Sequence, residues 1–472
     1  MQCLYSLLIS YLFLMWIEFM GNREEIFSEI SIRERIFSGS IWAFLGKMGS
    51  MSFGLIINAL LARLLTPTDL GSYFLAISLV SVATVVAQMG LSRTILRLIA
   101  EAPGKKNISS IKPALKFVFF YALIGVITVL FFINSRMGRR MLSLFFKEKL
   151  PSRVIYLSSV LIFASVFQNI LSESFRGFHK IGLASLFKLL LNKLIFACVL
   201  VFLWFFLGEI SLIRALTLAA LAGCINILVA GGFLWQRVSK IGVPGHGKLT
   251  GMNVLSIALP IMVTDMILSI FNNGSTWILG FLSSSENVAL FNASFRLVSL
   301  VVVSLSVINS VLPPIIADLY SKDHIQRLEK VIRSTAFIAG IPAFLGLGLF
   351  LVASKPILGL VFGPFYAQGS TILIILILGQ LVNVWAGSCQ YTLLMTGFQK
   401  ITMVGNLLSG VLNIILSVFL LDQFGVEGVA AAYSLSIIFN NIFMVFAVKK
   451  KIGIWTHIGY PAKAYEVIRK FL

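Results

Sequence analysis

The chain has 472 residues, 58% hydrophobic and 12% charged, with a mean hydropathy of +0.97. That is too little polar surface to coat a water-soluble globule, so lipid is the expected solvent and an enzyme with a separate soluble catalytic domain is excluded. The formal net charge of +20 suggests nucleic acid until the positions are read. Most lysines and arginines sit in short connections between apolar stretches, as membrane topology produces, and no nucleic-acid partner is expected.

Residues 3–20 (CLYSLLISYLFLMWIEFM) form an apolar segment with no basic run ahead of it and no small-residue cleavage site behind it, unlike a secretory signal. Two readings stay open: an added membrane anchor, or upstream sequence ahead of a natural start at Met20, where the charged amphipathic stretch NREEIFSEISIRERIF begins. Hydropathy then predicts twelve spans, at 40–63, 70–89, 113–133, 154–173, 183–206, 211–235, 252–281, 287–311, 334–353, 370–392, 402–421 and 427–448.

Two echoes divide these spans. Gly177-Phe178-His179-Lys180-Ile181 returns as Gly397-Phe398-Gln399-Lys400-Ile401, a displacement of 220 positions (177 to 397). Leu65–Ala76 (LTPTDLGSYFLA) returns as Leu282–Ala293 (LSSSENVALFNA), a displacement of 217 (65 to 282). The expected fold is an all-α polytopic membrane protein of two six-helix lobes. Because six is even, the repeat is parallel rather than inverted. The domain reading is a hydrophobic segment and lead-in (1–36), a first lobe (37–237), a linker (238–250), a second lobe (251–450) and a basic tail (451–472).

Basic residues cluster in loops after even-numbered spans, for example Arg93, Arg97, Lys112, Arg176, Lys180, Arg237, Lys322, Arg327 and Lys449-Lys450-Lys451. The positive-inside rule puts that side, with both ends of the twelve-helix core, in the cytoplasm, and the protein in the cell membrane. One loop disagrees. Arg136, Arg139, Arg140, Lys147, Lys149 and Arg153 follow span three, so either the boundary of that span lies elsewhere or, as favoured here, Met141–Phe146 forms an amphipathic helix lying on the outer interface.

A charge near the bilayer centre costs at least about 2.5–3.5 kcal/mol on insertion scales, so intramembrane polar residues mark cavities or partners. Lys47, Arg63 and Arg296 are the candidate contacts for an anionic substrate, with Asn58, Asn272 and Asn273 as neutral partners. Lys188 and Lys193 also fall within span five; Lys188 is near enough to an edge to reach headgroups. Asp265, after Pro260, is either an ion-coupling acid or the counter-ion of Arg296 or Lys47. Asn272-Asn273-Gly274-Ser275 suggests cleft hydrogen bonding or local unwinding. Cys3, Cys198, Cys224 and Cys389 are scattered singly and read as small hydrophobes; no metal, no catalytic residue and no cofactor is expected. The repeated Gly-Phe-(His/Gln)-Lys-Ile block reads as a structural turn.

The stretch from Ala62 to Tyr73 (ARLLTPTDLGSY), followed by Gly90-Leu91-Ser92, Arg176-Gly177-Phe178 and Ala293-Ser294-Phe295-Arg296-Leu297, resembles the polysaccharide-biosynthesis membrane proteins, the oligosaccharide repeat-unit flippases. The resemblance covers roughly residues 36–450 and extends to a superfamily with multidrug/toxin extruders and peptidoglycan-precursor flippases. It implies a two-lobed transporter that moves a polyprenyl-diphosphate-linked oligosaccharide across the cytoplasmic membrane by alternating access, without covalent chemistry. Its partners would be the lipid-linked glycan, membrane lipids and other polysaccharide-assembly proteins. Family members often carry an Asp-Arg pair before an Ile-Leu-Gly run in span seven; Ser275-Thr276 occupy those places here, so that pair's role does not carry over. The alternatives are a cation-coupled drug antiporter of the same fold, disfavoured by a first span holding Lys47 and no acid, and a polytopic glycan polymerase or ligase, disfavoured by the short outer loops. No Walker-type loop supports direct ATP drive.

Overall fold

A computed structural model describes residues 32–102, 108–145, 151–206, 208–239 and 250–459. The expectations for residues 3–20, for most of the 238–250 linker and for the end of the tail fall outside these. Among the described residues every regular element is helical, and 11 helices are long and apolar enough to cross a membrane.

The first half runs α1 (Ile32–Leu64), α2 (Pro67–Gln88), α3 (Leu91–Glu101), α4 (Ile111–Asn134), α5 (Arg136–Phe145), α6 (Ser152–Gly177), α7 (Ile181–Phe206) and α8 (Leu212–Ser239). The second runs α9 (Gly251–Leu282), α10 (Ser285–Val301), α11 (Val303–Ser321), α12 (Ile325–Phe362), α13 (Ser370–Ala386), α14 (Cys389–Met395) and α15 (Gln399–Ile452). The all-α, two-lobed repeat architecture expected from the sequence is what the chain adopts.

Three predicted spans differ in detail. The stretch 287–311 is not one helix: Val302 leaves the helical run, and Ser304 Oγ donates to Ala339 O of α12 at 2.8 Å just beyond the break. Spans eleven and twelve form one 54-residue element whose helical dihedrals fail at Gly425 (φ 61°, ψ −140°). At about 1.5 Å per residue such a helix would be far longer than a bilayer is thick. It folds back instead, and Asn440 Nδ2 on the returning arm donates to Asn406 Oδ1 at 3.2 Å.

The echo beginning at Leu65 and Leu282 is a pair of helix starts. Thr66 Oγ1 accepts from Asp69 N at 3.2 Å and Ser284 Oγ from Asn287 N at 3.4 Å, each satisfying a first-turn N–H that has no helical partner. The two starts also meet. Thr68 Oγ1 donates to Glu286 Oε1 at 3.4 Å, and a Cβ on Gly71 would lie 1.7 Å from Ser285 O, so only glycine permits that approach. This meeting point is termed the cap end of the bundle. Helix α2 packs along both α9 and α10, and the halves adjoin there.

The second echo is a turn in both halves, as expected, but with different chemistry. Gly397 adopts φ 89°, whereas the first copy puts its left-handed residue at His179 (φ 59°). Gly177 is still helical, and its missing side chain admits Ile99 of α3, which a Cβ would meet at 2.8 Å. Phe178 is buried beneath the Arg237 guanidinium, 5.7 Å from its ring.

Candidate functional site

Within α7, residues Leu186–Leu190 form a π turn. Such a turn spaces its backbone bonds five residues apart and leaves carbonyls poorly served. Side chains from neighbouring helices supply them: Gln168 Nε2 (α6) donates to Phe187 O at 2.9 Å and Lys188 O at 3.2 Å, and Asn226 Nδ2 (α8) donates to Phe187 O at 2.8 Å. The turn fixes where the lysines point. Lys188 pairs with the buried carboxylate of Glu173 rather than reaching for headgroups, and Arg176 Nη1 lies 3.2 Å from the other Glu173 oxygen. Lys193, further along α7, turns inward and donates to Ser50 Oγ at 2.8 Å and Ser50 O at 3.0 Å on α1.

Lys193 there borders a polar cavity of about 500 Å³ lined by α1, α2, α6, α7 and α8. Asn58, Ser81, Thr84, Gln168, Asn169 and Asn192 give it hydrogen-bonding groups. Three of these have their amide N–H groups engaged: Asn58 Nδ2 donates to Gly54 O at 2.5 Å, Asn169 Nδ2 to Gln88 Oε1 at 3.2 Å, and Gln168 Nε2 to the carbonyls of the π turn. Thr84 Oγ1 is buried without a partner. Among the described residues no carboxylate lines the cavity.

Arg296 of α10 reaches into this first-half cavity from the second half. Its guanidinium carbon stands 5.9 Å from the centre of the Phe74 ring, and its Nε is buried with no hydrogen-bond partner. A buried unpaired donor on a cation costs free energy, and only an arriving acceptor would recover it. Lys193 lines the same cavity, so its lining carries two cationic side chains.

The other sequence candidates lie elsewhere. Lys47 Nζ donates to Ser306 O of α11 at 3.2 Å, and Arg63 donates to Leu360 O of α12. Leu360 lies in the last turn of its helix, where carbonyls lack intrahelical partners and a cation is favoured. Both residues therefore tether the first half to the second and do not line the cavity. Asn272 is exposed, and Asn273 Nδ2 donates to Ser269 O of its own helix at 2.8 Å. Helix α9 continues through Asn272-Asn273-Gly274-Ser275 without the local unwinding considered above.

Asp265 finds neither expected counter-ion. Its Oδ1 is 2.8 Å from Arg93 Nη2, at the start of α3, making a further bridge between the halves. That pairing is invisible in sequence because it depends on how the Gly90 turn abuts α9, where a Cβ on Gly90 would sit 2.2 Å from Ala258 O.

Lys193, Gln168 and Asn192 were not among the sequence-derived site residues. A usable signal existed: Gln168-Asn169 and Asn192-Lys193 are adjacent polar pairs inside otherwise apolar helices, too deep for both members to be surface residues.

The sequence model described as polysaccharide biosynthesis protein matches residues 36–320, more than half the chain, and the MatE model matches residues 260–419. Among curated proteins the chain is 31% identical over 171 residues to the probable low-salt glycan biosynthesis flippase Agl15 of Haloferax volcanii, covering 35% of each chain. It is 28% identical over 182 residues to the probable flippase AglR of the same organism, covering 38% of each. The matched stretches thus span little more than a third of these relatives. Among solved structures it is similar to an inward-facing multidrug resistance MATE family transporter, with a TM-score of 0.69 at 14% identity over 88% of this chain and 98% of that one. It is also similar to the lipid II flippase MurJ in an inward closed conformation, with a TM-score of 0.61 at 15% identity over 91% and 96%. These likenesses carry the fold, and with the family match over residues 36–320 the chain belongs to the polysaccharide biosynthesis protein family.

Proposed function

We propose that this chain is a flippase that moves a polyprenyl-diphosphate-linked oligosaccharide from the cytoplasmic to the outer leaflet by alternating access. The observation that carries this reading is Arg296, whose Nε is buried and unpartnered in a polar cavity that also holds Lys193 and no carboxylate. Diphosphate suits such a pair of cations, and the Asn192 amide with the side-chain oxygens of Gln168 and Asn169 suits sugar hydroxyls. Both Haloferax relatives are named as probable flippases, one of them of glycan biosynthesis, which supports a glycan cargo. A drug-cation antiporter would need a negative cavity, so the absence of a lining carboxylate speaks against that alternative.

In this reading the core crosses the membrane twelve times, with both ends cytoplasmic, as the basic loops direct, and with the cap end outside. The lobes rock about the cavity. The Lys47–Ser306 and Arg63–Leu360 tethers and the Arg93–Asp265 pair break and re-form as they do so. No covalent bond is made or broken, so the chain works as a transporter rather than an enzyme, handing its cargo to other polysaccharide-assembly proteins.

The test is purified chain in liposomes loaded with lipid-linked oligosaccharide, with glycan accessibility on each side followed over time, with and without proton and sodium gradients. Protein-dependent transbilayer movement, impaired by Arg296→Ala, is expected. Export of small organic cations without glycan movement would establish the antiporter instead.

A further inference from the structure

The arginines after α4 have no part in the cavity, and their sign is wrong for the side of the membrane to which the other loops assign them. The chain turns sharply at Ser135 (φ −67°, ψ 162°), and Gly138 lets α5 lie against the end of α4, where a Cβ would meet Phe132 O at 2.0 Å. Arg136, Arg139 and Arg140 are exposed on this helix. Arg139 Nε donates to Asn134 O at 3.1 Å, and no acidic side chain among the described residues pairs with any of the three.

Beneath α5 lies a second cavity, of about 410 Å³, walled by α2, α4, α5 and Trp277 of α9. Leu75, Leu79, Val86, Phe132 and Met141 typify its lining. Its one hydroxyl, on Thr128, donates to Ile124 O of its own helix. Helix α2 alone separates this apolar slot from the polar cavity, since Leu75 and Leu79 face the slot while Ser81 and Thr84 face the cavity. Trp277 Nε1 donates to Ser78 Oγ at 3.0 Å and closes the α2–α9 side of the slot.

We propose that α5 and the slot dock the polyprenyl diphosphate end of the transported lipid, with hydrocarbon in the slot and diphosphate on Arg136, Arg139 and Arg140. The proposal rests on the flippase reading above. Three features select this occupant over a bilayer phospholipid. The slot is a single cavity, matching one chain rather than two; three unpaired arginines match a diphosphate better than a single phosphate diester; and the slot adjoins the site that holds the glycan. A glycan leaving the cavity past α2 toward the cap end would bring its lipid phosphates to α5, which explains positive charge on that side.

The experiment measures binding of a radiolabelled, sugar-free, long-chain polyprenyl diphosphate to the full chain in phosphatidylcholine nanodiscs. Arg139→Glu with Arg140→Glu should weaken binding about tenfold or more. Leu79→Trp, which fills the slot, should do the same, while Lys322→Glu, which reverses an exposed cation of the second half that lines neither cavity, should leave this binding unchanged. Inorganic pyrophosphate should not displace the ligand. Unaltered binding in the charge-reversed variant would overturn the proposal, and so would equal displacement by phosphatidylglycerol, which would make this a bilayer-lipid site. Binding with the expected sensitivities, but no glycan movement in liposomes, would retain the docking site and remove the flippase reading. Glycan movement with binding indifferent to α5 would do the reverse.

Discussion

The two halves share a scaffold and differ in what fills it. Carrying the displacement of 217 positions through the first helices sets Gly54 against Phe271 and Asn58 against Ser275; the displacement of 220 sets Lys193 against Asn413. In the first half these residues border an open polar cavity. In the second half the same places are closed. Phe271 stacks on Tyr433 with ring centres 6.3 Å apart, Phe295 meets Tyr433 edge-on at 5.3 Å, and Asn413 Nδ2 donates to Ser275 Oγ at 3.1 Å. Duplication therefore supplies two matching frames. One has become a filled, self-satisfied core, and it contributes Arg296 to the cavity kept open in the other.

That asymmetry can be erased most directly with Gly54→Phe, which gives the first half the filler of the second. A Cβ at Gly54 would lie 3.4 Å from Lys193 Nζ, so the backbone tolerates the change while the ring occupies the cavity. Transport of lipid-linked oligosaccharide in liposomes should be lost, with normal insertion and an unchanged melting temperature. Arg296→Ala comes next. Loss of charge-assisted bonds worth about 1.5–3 kcal/mol should slow transport roughly 10- to 100-fold. Normal transport in either variant would locate the substrate outside the cavity. The reciprocal substitution, Phe271→Gly, should act on stability instead. It removes a stacked ring at a cost on the order of 3–5 kcal/mol, read by thermal unfolding in detergent, and should not create a second site. Lys193→Asn, copying the second half's residue, should weaken transport only a few-fold because Arg296 stays in place.

The sequence carried the repeat, the helical class and the helix starts at Thr66 and Ser284, because these are written locally, in hydropathy and in capping residues. It also carried Arg296 and Asn58, polar residues in apolar helices, which do meet at the cavity. What it withheld is tertiary. Lys47 and Arg63 look like substrate contacts in one dimension and become tethers only once the carbonyls of Ser306 and Leu360 are placed beside them. The cavity's main enabling residue, Gly54, acts by having no side chain, and an absent group leaves no mark in a hydropathy profile. Lys193 was visible, yet its direction depends on the π turn at Leu186–Leu190, which no local pattern announces.

The smallest expected effect concerns the Arg93–Asp265 pair, the place where the two halves are joined by opposite charges rather than by shape. Arg93 keeps 55% of its side chain exposed and Asp265 11%, so solvent screens the pair, and its loss should shift the balance between lobe arrangements by about 1 kcal/mol or less. That corresponds to a change of roughly two- to fivefold in the populations. Maleimide labelling of a cavity cysteine introduced as Ser81→Cys would report it as a rate change. A latch predicts that Arg93→Ala and Asp265→Asn alter the rate alike, and that the double variant does no more than either single one, since each already breaks the same contact. An ion-coupling acid predicts something else: Asp265→Asn would abolish any dependence of transport on an ion gradient, while Arg93→Ala would leave that dependence in place.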